Sequence, residues 1–414
     1  MNIKNDILNK KKIINDPVYG FISINHEIIF DLIEHPYFQR LRRISQLGLS
    51  SYVYPGAVHS RFHHALGATH LMQEAILTLR AKGVDISDAE CEAVTIAILL
   101  HDIGHGPFSH ALEHTILENV DHETVSVLFM EKLNEEMGGR LSMALEIFEN
   151  KYPKKFLHQL VSSQLDMDRL DYLTRDSFFT GVHEGVIGYD RIIKMLNVKD
   201  DTLVVEEKGI YSIEKFIVSR RLMYWQVYLH KTVLCAEVML VQMLKRAKQL
   251  YKEGKELYTT PALAYLMSKD WTVEDFRETP EVLEQFARLD DTDLYVVMKV
   301  WKNNEDFLLS DLCKRLVNRK LFKTELQREA FNFRYINEIR KKVQDKYNLM
   351  EENIDYLVLT DSTSNSAYSH KEDHINILYK NGKIEDIATA SDQLNIQMLA
   401  APVVKYYLCY PKDL

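Results

Sequence analysis

Hydrophobic positions recur at helical spacing through most of the chain, from about residue 31 to residue 347. One such segment carries Ile96 and Leu100 on a single apolar face, a spacing typical of an amphipathic helix. Ser87, followed three residues later by Glu90, forms a capping box that marks where this helix begins. The pattern predicts a mainly α-helical protein, with a second long helix over about 213–251.

Strand patterns are confined to short stretches. They are "YGFISIN" near the N-terminus, "TLVVEEKGIYSI" with a turn predicted at Lys208-Gly209, and, after about residue 352, "IDYLVLT", "INILYKNGKIEDIA" and "VVKYYLCY". Asn381-Gly382 between apolar alternations predicts a hairpin. We therefore expect an N-terminal segment over 1–50, a helical region over 51–350 and a small α+β portion over 351–414.

Composition and charge narrow the class of protein. The chain is 46% hydrophobic and 27% charged, as expected for a globular protein. Its net charge of -9 disfavours general nucleic-acid binding, and no apolar run reaches the roughly 18 residues of a membrane span. The four cysteines form no CxxC pair, which indicates reduced thiols in a cytoplasmic protein.

The distribution of histidine points to chemistry. Nine of the 16 histidines fall between His59 and His122, and the segment "AILLHDIGHGPFSHALEH" places several directly after an apolar helix. Imidazoles and carboxylates hold divalent ions, but side chains adjacent on a helix, such as His101 and Asp102, diverge by about 100°. Further ligands must come from the segments "HSRFHHALG" and "SSQLDMDRLDYLTRD". The pattern predicts a metal-centred hydrolytic site.

Three motifs in order carry a family resemblance: "YPGAVHSRFHHALG", "HDIGHGPFSH" and "LDMDRLDYLTRD". Together they resemble the HD-domain phosphohydrolases, and more narrowly the deoxynucleoside triphosphate triphosphohydrolases, including those that join a SAM domain to an HD domain. The resemblance covers about residues 12–231. It implies an HD-domain helical core and metal-dependent hydrolysis of deoxynucleoside triphosphates (dNTPs) to deoxynucleoside and inorganic triphosphate.

The resemblance also assigns residues around one divalent ion, which could be Mn, Fe, Zn, Ni or Mg. The implied metal ligands are His64, His101, Asp102 and Asp168. The implied catalytic residues near the scissile phosphate are His105, His110, His122, Glu113 and Glu123. The implied triphosphate contacts are Arg61, Arg169 and Arg220. The implied sugar and nucleoside contacts are Gln46, Leu47, Tyr172, Asp176 and Tyr228. Glu113 replaces the family's aspartate and Arg169 its lysine, so reach and donor geometry differ at these two positions.

A second nucleotide site is implied near the N-terminus, where "KKIINDPVYG" and "EHPYFQRLRRISQLG" resemble the regulatory segments of the SAM-containing relatives. The implied contacts are Lys12, Asn15, Glu34, Gln39 and Arg42. Glu34 replaces an aspartate that reads guanine in those relatives. The resemblance further implies a homo-oligomer, a dimer or a tetramer, that a second dNTP activates.

Three alternatives stay open at this point. The first is another HD activity, such as a phosphodiesterase or a phosphatase acting on a different nucleotide. The second is a nucleotide-sensing regulatory module that does not depend on turnover. The third is nucleic-acid binding through a local basic patch, which should weaken steeply with salt.

Overall fold

The structure is a computed structural model. It describes residues 12–113, 115–117, 120–366, 368, 374–392, 396 and 401–414, without the side chain of His110. The described residues are 59% helical and 12% strand, and they include a small sheet-containing C-terminal portion. This confirms the predicted fold class, a helical HD-domain core with a small sheet-containing C-terminal portion.

Nineteen α-helices lie within the described residues. They are α1 Glu27–Glu34, α2 Pro36–Gln39, α3 Arg61–Ala81, α4 Asp88–Leu100, α5 Ser109–Glu113, α6 His122–Glu136, α7 Ser142–Phe148, α8 Lys155–Val161, α9 Met167–Thr180, α10 Tyr189–Met195, α11 Ile210–Met223, α12 Lys231–Lys252, α13 Pro261–Met267, α14 Val273–Glu278, α15 Pro280–Arg288, α16 Asp291–Trp301, α17 Phe307–Val317, α18 Phe333–Tyr347 and α19 Ile387–Ala390.

Nine strands lie in the same described part of the chain. They are β1 Lys12–Asp16, β2 Gly20–Ile24, β3 Leu196–Lys199, β4 Thr202–Glu206, β5 Lys323–Gln327, β6 Leu359–Asn365, β7 Asn376–Leu378, β8 Ile384–Asp386 and β9 Val403–Tyr410.

The strands form three small sheets. β1 and β2 make an N-terminal antiparallel hairpin, β3-β4-β7-β8 make a mixed sheet, and β5-β9-β6 make an antiparallel sheet. β7 runs parallel to β4, although about 170 residues separate them in sequence. The C-terminal strands therefore pair with strands from the helical region and do not form a sheet by themselves.

Helix α3 is central to the helical core, where it packs against both α4 and α9. Its buried positions include Phe62, Leu66, Leu71 and Leu79. The capping box at Ser87 and Glu90 is confirmed at the start of α4, where each side chain accepts from the other residue's backbone N–H. The first motif leads into α3, the second follows α4 directly and the third leads into α9, so the packing of these helices brings the motifs together.

The hairpin within "TLVVEEKGIYSI" differs from the prediction. The turn lies at Asp200 and Asp201, whose φ angles of 51° and 58° are left-handed, and it joins β3 to β4. The predicted turn residue Gly209 instead precedes α11. A Cβ there would lie 2.6 Å from Val205 Cγ1, so the missing side chain lets the start of α11 pack closely on β4.

The long helix predicted over about 213–251 is interrupted. Helix α11 passes into a π-helical turn over Tyr224–Tyr228, and α12 begins after His230, whose Nδ1 accepts from Thr232 N at 3.1 Å. Apolar residues keep their helical spacing across this interruption, so the hydrophobic pattern predicted one continuous helix. The hairpin predicted at Asn381-Gly382 is confirmed, since it joins β7 to β8 and Gly382 has a φ of 83°.

Among the described residues, no single helix has both the length and the apolar composition needed to cross a membrane. Residues 207–228 and 231–252 reach that composition only as a pair, and a bend of 56° separates them.

Candidate metal centre and substrate cavity

Three chain segments meet at the predicted metal ligands. His64 lies in the first turn of α3, His101 and Asp102 follow the last residue of α4, and Asp168 lies in the first turn of α9. His64 Nε2 lies 3.2 Å from His101 Nε2 and 3.1 Å from Asp168 Oδ1. Asp102 Oδ1 lies 3.5 Å from His101 Nε2. The structure thus brings all four predicted ligands into one cluster.

The hydrogen bonds of the two imidazoles show which ring atoms face the cluster. His64 Nδ1 lies 2.7 Å from Asp171 Oδ2, and His101 Nδ1 lies 2.6 Å from the carbonyl oxygen of Ile98. Because both partners only accept, each Nδ1 carries a hydrogen, and each Nε2 presents a lone pair once the ring is neutral. In that neutral form, two imidazole lone pairs and the Asp168 carboxylate converge on one place. This set fits a divalent cation, since neutral imidazole nitrogens and carboxylate oxygens are its usual ligands.

The electrostatics of the metal-free cluster agree with that fit. Burial opposes the charged form of His64, but hydrogen bonds to Asp168 and Asp171 outweigh it and raise the pKa to about 10. Burial likewise opposes ionisation of Asp168, but its bonds to His101 and His64 hold the pKa of that carboxyl well below its usual range. The site therefore attracts positive charge, which a bound cation would supply.

The backbone after α4 turns sharply, which lets His101 and Asp102 point to the same place. The Ser126 hydroxyl donates to the carbonyl oxygen of His101 and accepts from Gly104 N, each at 2.9 Å. A Cβ on Gly104 would lie 2.2 Å from the carbonyl oxygen of His122, so only glycine allows α6 to approach this closely.

The predicted catalytic histidines form a second group beside the first. His105 and His122 stack with ring centroids 3.8 Å apart, and His122 Nδ1 lies 2.9 Å from Glu113 Oε1. Their ligand atoms lie close enough to hold a cation. Glu123 lies in the first turn of α6 with an exposed side chain, and His110's side chain lies outside the described residues.

His105 and His122 differ in what surrounds them. Burial and the nearby charge of Arg61 lower the pKa of His105 to about 3, so this imidazole is neutral at pH 7. The hydroxyl of Ser109 donates its hydrogen to the carbonyl oxygen of Gly106. Ser109 Oγ therefore accepts from His105 Nδ1, which lies 2.7 Å away and carries the hydrogen. His105 Nε2 therefore presents a lone pair 3.3 Å from Asp102 Oδ1.

The four predicted metal ligands, called the metal cluster below, adjoin a cavity of about 1330 Å³. Asp168 and Glu113 are part of the lining of this cavity. Seven of the eight predicted substrate residues line it, namely Gln46, Leu47, Arg61, Arg169, Tyr172, Asp176 and Tyr228. Arg220, on α11, is not part of this lining. It does act on Tyr172 electrostatically: burial raises the pKa of Tyr172, and the positive charge of Arg220 opposes that rise.

Several polar atoms of the predicted substrate residues are buried without a partner in the part of the chain that the structure describes. They are the Nε atoms of Arg61, Arg169 and Arg220 and the Oε1 atom of Gln46. A buried donor or acceptor that stays unpaired costs about 1–3 kcal/mol, so such atoms mark places where a ligand is expected to bind. Arg61 also donates from Nη1 to Asp102 Oδ2 at 2.5 Å, and Arg169 donates from Nη1 to Asp166 Oδ2 at 2.5 Å.

The predicted sugar pocket is built around a buried carboxylate. Asp176 Oδ2 accepts from the Tyr228 hydroxyl at 2.7 Å, and Asp176 Oδ1 lies 2.8 Å from His59 Nε2. Sequence reasoning gave His59 no functional role, yet it is buried and orients Asp176. The signal available in sequence was only its position at the head of the "HSRFHHALG" motif.

The C-terminal portion contributes to the cavity lining through Asp361 of β6 and Tyr407 of β9, and Arg340 of α18 also lines the cavity. No motif in the C-terminal portion indicated a function. Its strands were recognisable, but only their pairing in the folded protein places them beside the cavity.

The predicted regulatory residues are not among those that line the cavity. Lys12 Nζ lies 3.5 Å from the centre of the Phe30 ring. Asn15, on the β1–β2 hairpin, and Glu34, at the end of α1, are both exposed. Gln39 donates to the carbonyl oxygen of Ile33 at 2.7 Å and accepts from Arg42 Nε at 2.8 Å. The structure brings Gln39 and Arg42 together.

Comparison with known proteins identifies the class. The HD domain family model matches residues 61–176, and that of the HD associated region matches residues 187–259. All four predicted metal ligands fall within the first match. The chain belongs to the HD-domain family of phosphohydrolases.

Individual relatives are informative in different ways. An uncharacterized protein of Bacillus subtilis, YwfO, is 34% identical and aligns over 100% of this chain and 95% of its own length. The SAMHD1 homolog of Dictyostelium discoideum, a deoxynucleoside triphosphate triphosphohydrolase, is 31% identical over 59% of this chain and 51% of its own length. The crystal structure of a phosphohydrolase from Bacteroides thetaiotaomicron is 54% identical, with a TM-score of 0.94 over 97% of this chain and 100% of that one.

Proposed function

We propose that this protein hydrolyses dNTPs to deoxynucleoside and inorganic triphosphate with the help of one divalent ion. The observation that carries the proposal is the single cavity that joins the metal cluster to unpaired arginine nitrogens and to the Asp176–Tyr228 pair. Similarity to deoxynucleoside triphosphate triphosphohydrolases supports the choice of substrate.

His64, His101, Asp102 and Asp168 would hold the metal ion, which when bound polarises a phosphoryl oxygen and acidifies water. Arg61 and Arg169 bind the triphosphate, because guanidinium groups match phosphate oxygens in charge and geometry. Both arginines are already oriented by an aspartate, so little side-chain freedom is lost when the substrate binds.

His122 delivers the proton that the 5′-oxygen needs to leave. Its Nδ1 donates to Glu113, which fixes the ring, and its Nε2 carries the proton that is transferred. His105 is neutral at pH 7 and stacks on His122, so its role is to hold the neighbouring ring in place.

Gln46 and Asp176 bind the 3′-hydroxyl, and Leu47 and Tyr172 pack against the 2′-carbon, where a ribonucleotide would carry a hydroxyl. Asp176 is held from both sides by His59 and Tyr228, so its position does not depend on the substrate. This arrangement favours deoxyribonucleotides because a 2′-hydroxyl would meet apolar side chains without a partner.

Product analysis tests the reaction directly. The metal-reconstituted protein is incubated with each dNTP, and inorganic triphosphate is measured together with the nucleoside. Equal amounts of deoxynucleoside and triphosphate are expected, whereas monophosphate with pyrophosphate would refute the proposal. The Asp102→Ala variant is the control, since an enzyme loses turnover and a nucleotide-sensing module retains its effect.

Regulation belongs to the same proposal. A second dNTP binds near Lys12, Asn15, Glu34, Gln39 and Arg42 and activates a dimeric or tetrameric assembly. Pairs of dNTPs should then give rates above the sum of the single rates, and the oligomer should be visible by light scattering. Hyperbolic kinetics for every dNTP and every mixture would contradict this part alone.

A phosphodiesterase or phosphatase that acts on another nucleotide is the second candidate. The observation that favours it is the group formed by His105, Glu113 and His122, which could hold a second cation beside the first. A panel of ribonucleotides, cyclic nucleotides and monophosphates, together with the number of metal ions per chain, separates the two candidates.

A further inference from the structure

Four buried side chains form an unbroken series of hydrogen bonds from the N-terminal hairpin to the metal ligand His64. His64 Nδ1 donates to Asp171 Oδ2 at 2.7 Å, and Arg175 Nε donates to the same oxygen at 3.0 Å. Arg175 Nη1 then donates to Asp16 Oδ2 at 2.7 Å. His64, Asp171 and Arg175 have no solvent exposure, and Asp16 is 7% exposed.

The guanidinium of Arg175 is shared between the two carboxylates. It also reaches Asp171 Oδ1 from Nη2 at 3.0 Å, so the Asp171–Arg175 contact is bidentate. The fold makes room for this pair at Gly67, one turn after His64 on α3. A Cβ there would lie 2.0 Å from Asp171 Oδ1 and 2.1 Å from Arg175 Nη2.

Asp16 uses its two oxygens for different purposes. Oδ1 accepts from Val18 N and Tyr19 N, each at 2.9 Å, and so forms the turn of the hairpin. Oδ2 accepts from Arg175 Nη1, while Nη2 lies 3.4 Å from Oδ1. The turn alone needs only one acceptor oxygen, Oδ1, and does not need the negative charge that Asp16 places beside Arg175.

From this geometry we infer that Asp16 is a positioning residue for the metal ligand His64 and sets metal affinity through Arg175 and Asp171. With Asp16 charged, Arg175 is only partly committed to Asp171, and Asp171 remains a strong acceptor for His64 Nδ1. Without that charge Arg175 neutralises Asp171 more completely. The imidazole then donates less electron density to a metal ion and is held less firmly.

The inference depends on the metal centre of the proposed function and not on the nucleotide substrate. Metal binding can therefore be measured without any substrate. The metal-free protein is titrated with Mn²⁺ at fixed pH by calorimetry, and the folded fraction of each variant is established by circular dichroism.

The variants separate charge from local structure. Asp171→Asn should weaken Mn²⁺ binding by about 10- to 100-fold, the usual effect of losing the hydrogen-bond partner of a ligand histidine. Asp16→Asn keeps an acceptor for the turn and should weaken binding by about tenfold, whereas Asp16→Glu keeps the charge and should restore most of the affinity. The control is Asp306→Asn, which breaks a different ion pair, to Arg246 at 2.6 Å, and should leave Mn²⁺ affinity unchanged.

Arg175→Lys is the second test, because lysine keeps one charge but cannot bridge both carboxylates. Arg175→Lys should also weaken Mn²⁺ binding. If Asp16→Asn does not fold, this variant tests whether the series of hydrogen bonds sets Mn²⁺ affinity. Folded Asp16→Asn or Arg175→Lys protein with wild-type affinity would overturn the inference while leaving the metal centre intact. A wild-type protein that binds no divalent ion would overturn both.

Discussion

His64 Nδ1 donates to Asp171 Oδ2 over 2.7 Å, and this contact turns the other ring nitrogen, Nε2, toward the metal cluster. Asp171 lies three residues after Asp168 on α9, so both carboxylates belong to one helical face. Asp168 is a predicted metal ligand, and Asp171 orients the predicted ligand His64. The position of His64 is therefore determined by α9 as much as by its own helix.

Metal binding should depend on pH with a definite sign. The pKa of His64 in the metal-free protein is about 10 against an ordinary value of 6.5, because its bonds to Asp168 and Asp171 outweigh burial. A metal ion must displace this proton, so its affinity should rise about tenfold per pH unit between about pH 6 and pH 9. Calorimetry in buffers of different ionisation enthalpy counts the released protons, and an affinity independent of pH would contradict this.

The raised pKa of His64 also affects folding stability, which should fall as pH rises, whereas metal affinity should increase. A raised pKa in the folded state stabilises the metal-free protein below about pH 6.5, and this contribution is lost as pH rises through about 10. The metal-free protein should therefore become less stable to denaturant over this range. The metal-loaded protein should lose less, because the ion replaces the proton.

Replacing His122 tests the assignment of the proton donor. His122→Gln should lower kcat by about 10²- to 10⁴-fold and leave KM nearly unchanged, because only the transition state needs the proton. Metal analysis of the same variant should still find one ion per chain. A fall from two ions to one would instead identify His105, Glu113 and His122 as a second cation site.

Leu47 should determine discrimination between deoxyribonucleotides and ribonucleotides. Leu47→Ala removes apolar contact at the predicted 2′-position and should reduce the ratio of kcat/KM values for dATP and ATP by about tenfold or more. Leu229→Ala is the matched control, since Leu229 lines the cavity outside the predicted sugar pocket. An equal effect of both substitutions would show that Leu47 has no special role.

Gly67 should be sensitive to a single methyl group. Gly67→Ala forces a Cβ into the Asp171–Arg175 pair and should lower the free energy of unfolding by about 1–3 kcal/mol, the usual cost of overpacking. Thermal or denaturant unfolding measures the effect. Gly188→Ala is the control, because no atom lies within 4 Å of its added Cβ and it should be nearly neutral.

The motifs predicted much of the cluster, but not how it is held. His64, His101, Asp102 and Asp168 could be named as expected ligands because the three segments that contain them resemble motifs of the HD-domain phosphohydrolases. Arg175 could have been suspected, since Asp168, Asp171 and Arg175 share one face of α9. Asp16 could not, because nothing local to "NDPVYG" indicates that its carboxylate meets a guanidinium 159 residues away.

Hydrophobic periodicity, capping residues and the order of the motifs were sufficient to predict a helical protein of this family with a metal-binding cluster. Periodicity and capping depend on residues within one or two helical turns of each other, and the motifs add only their order along the chain. Only the tertiary structure decided which ring nitrogen His64 presents to the cluster, that the hairpin is linked to His64 through Arg175, and that the C-terminal strands line the cavity. These depend on packing between distant segments, whose register and distance are determined by the whole core and not by any single stretch of sequence.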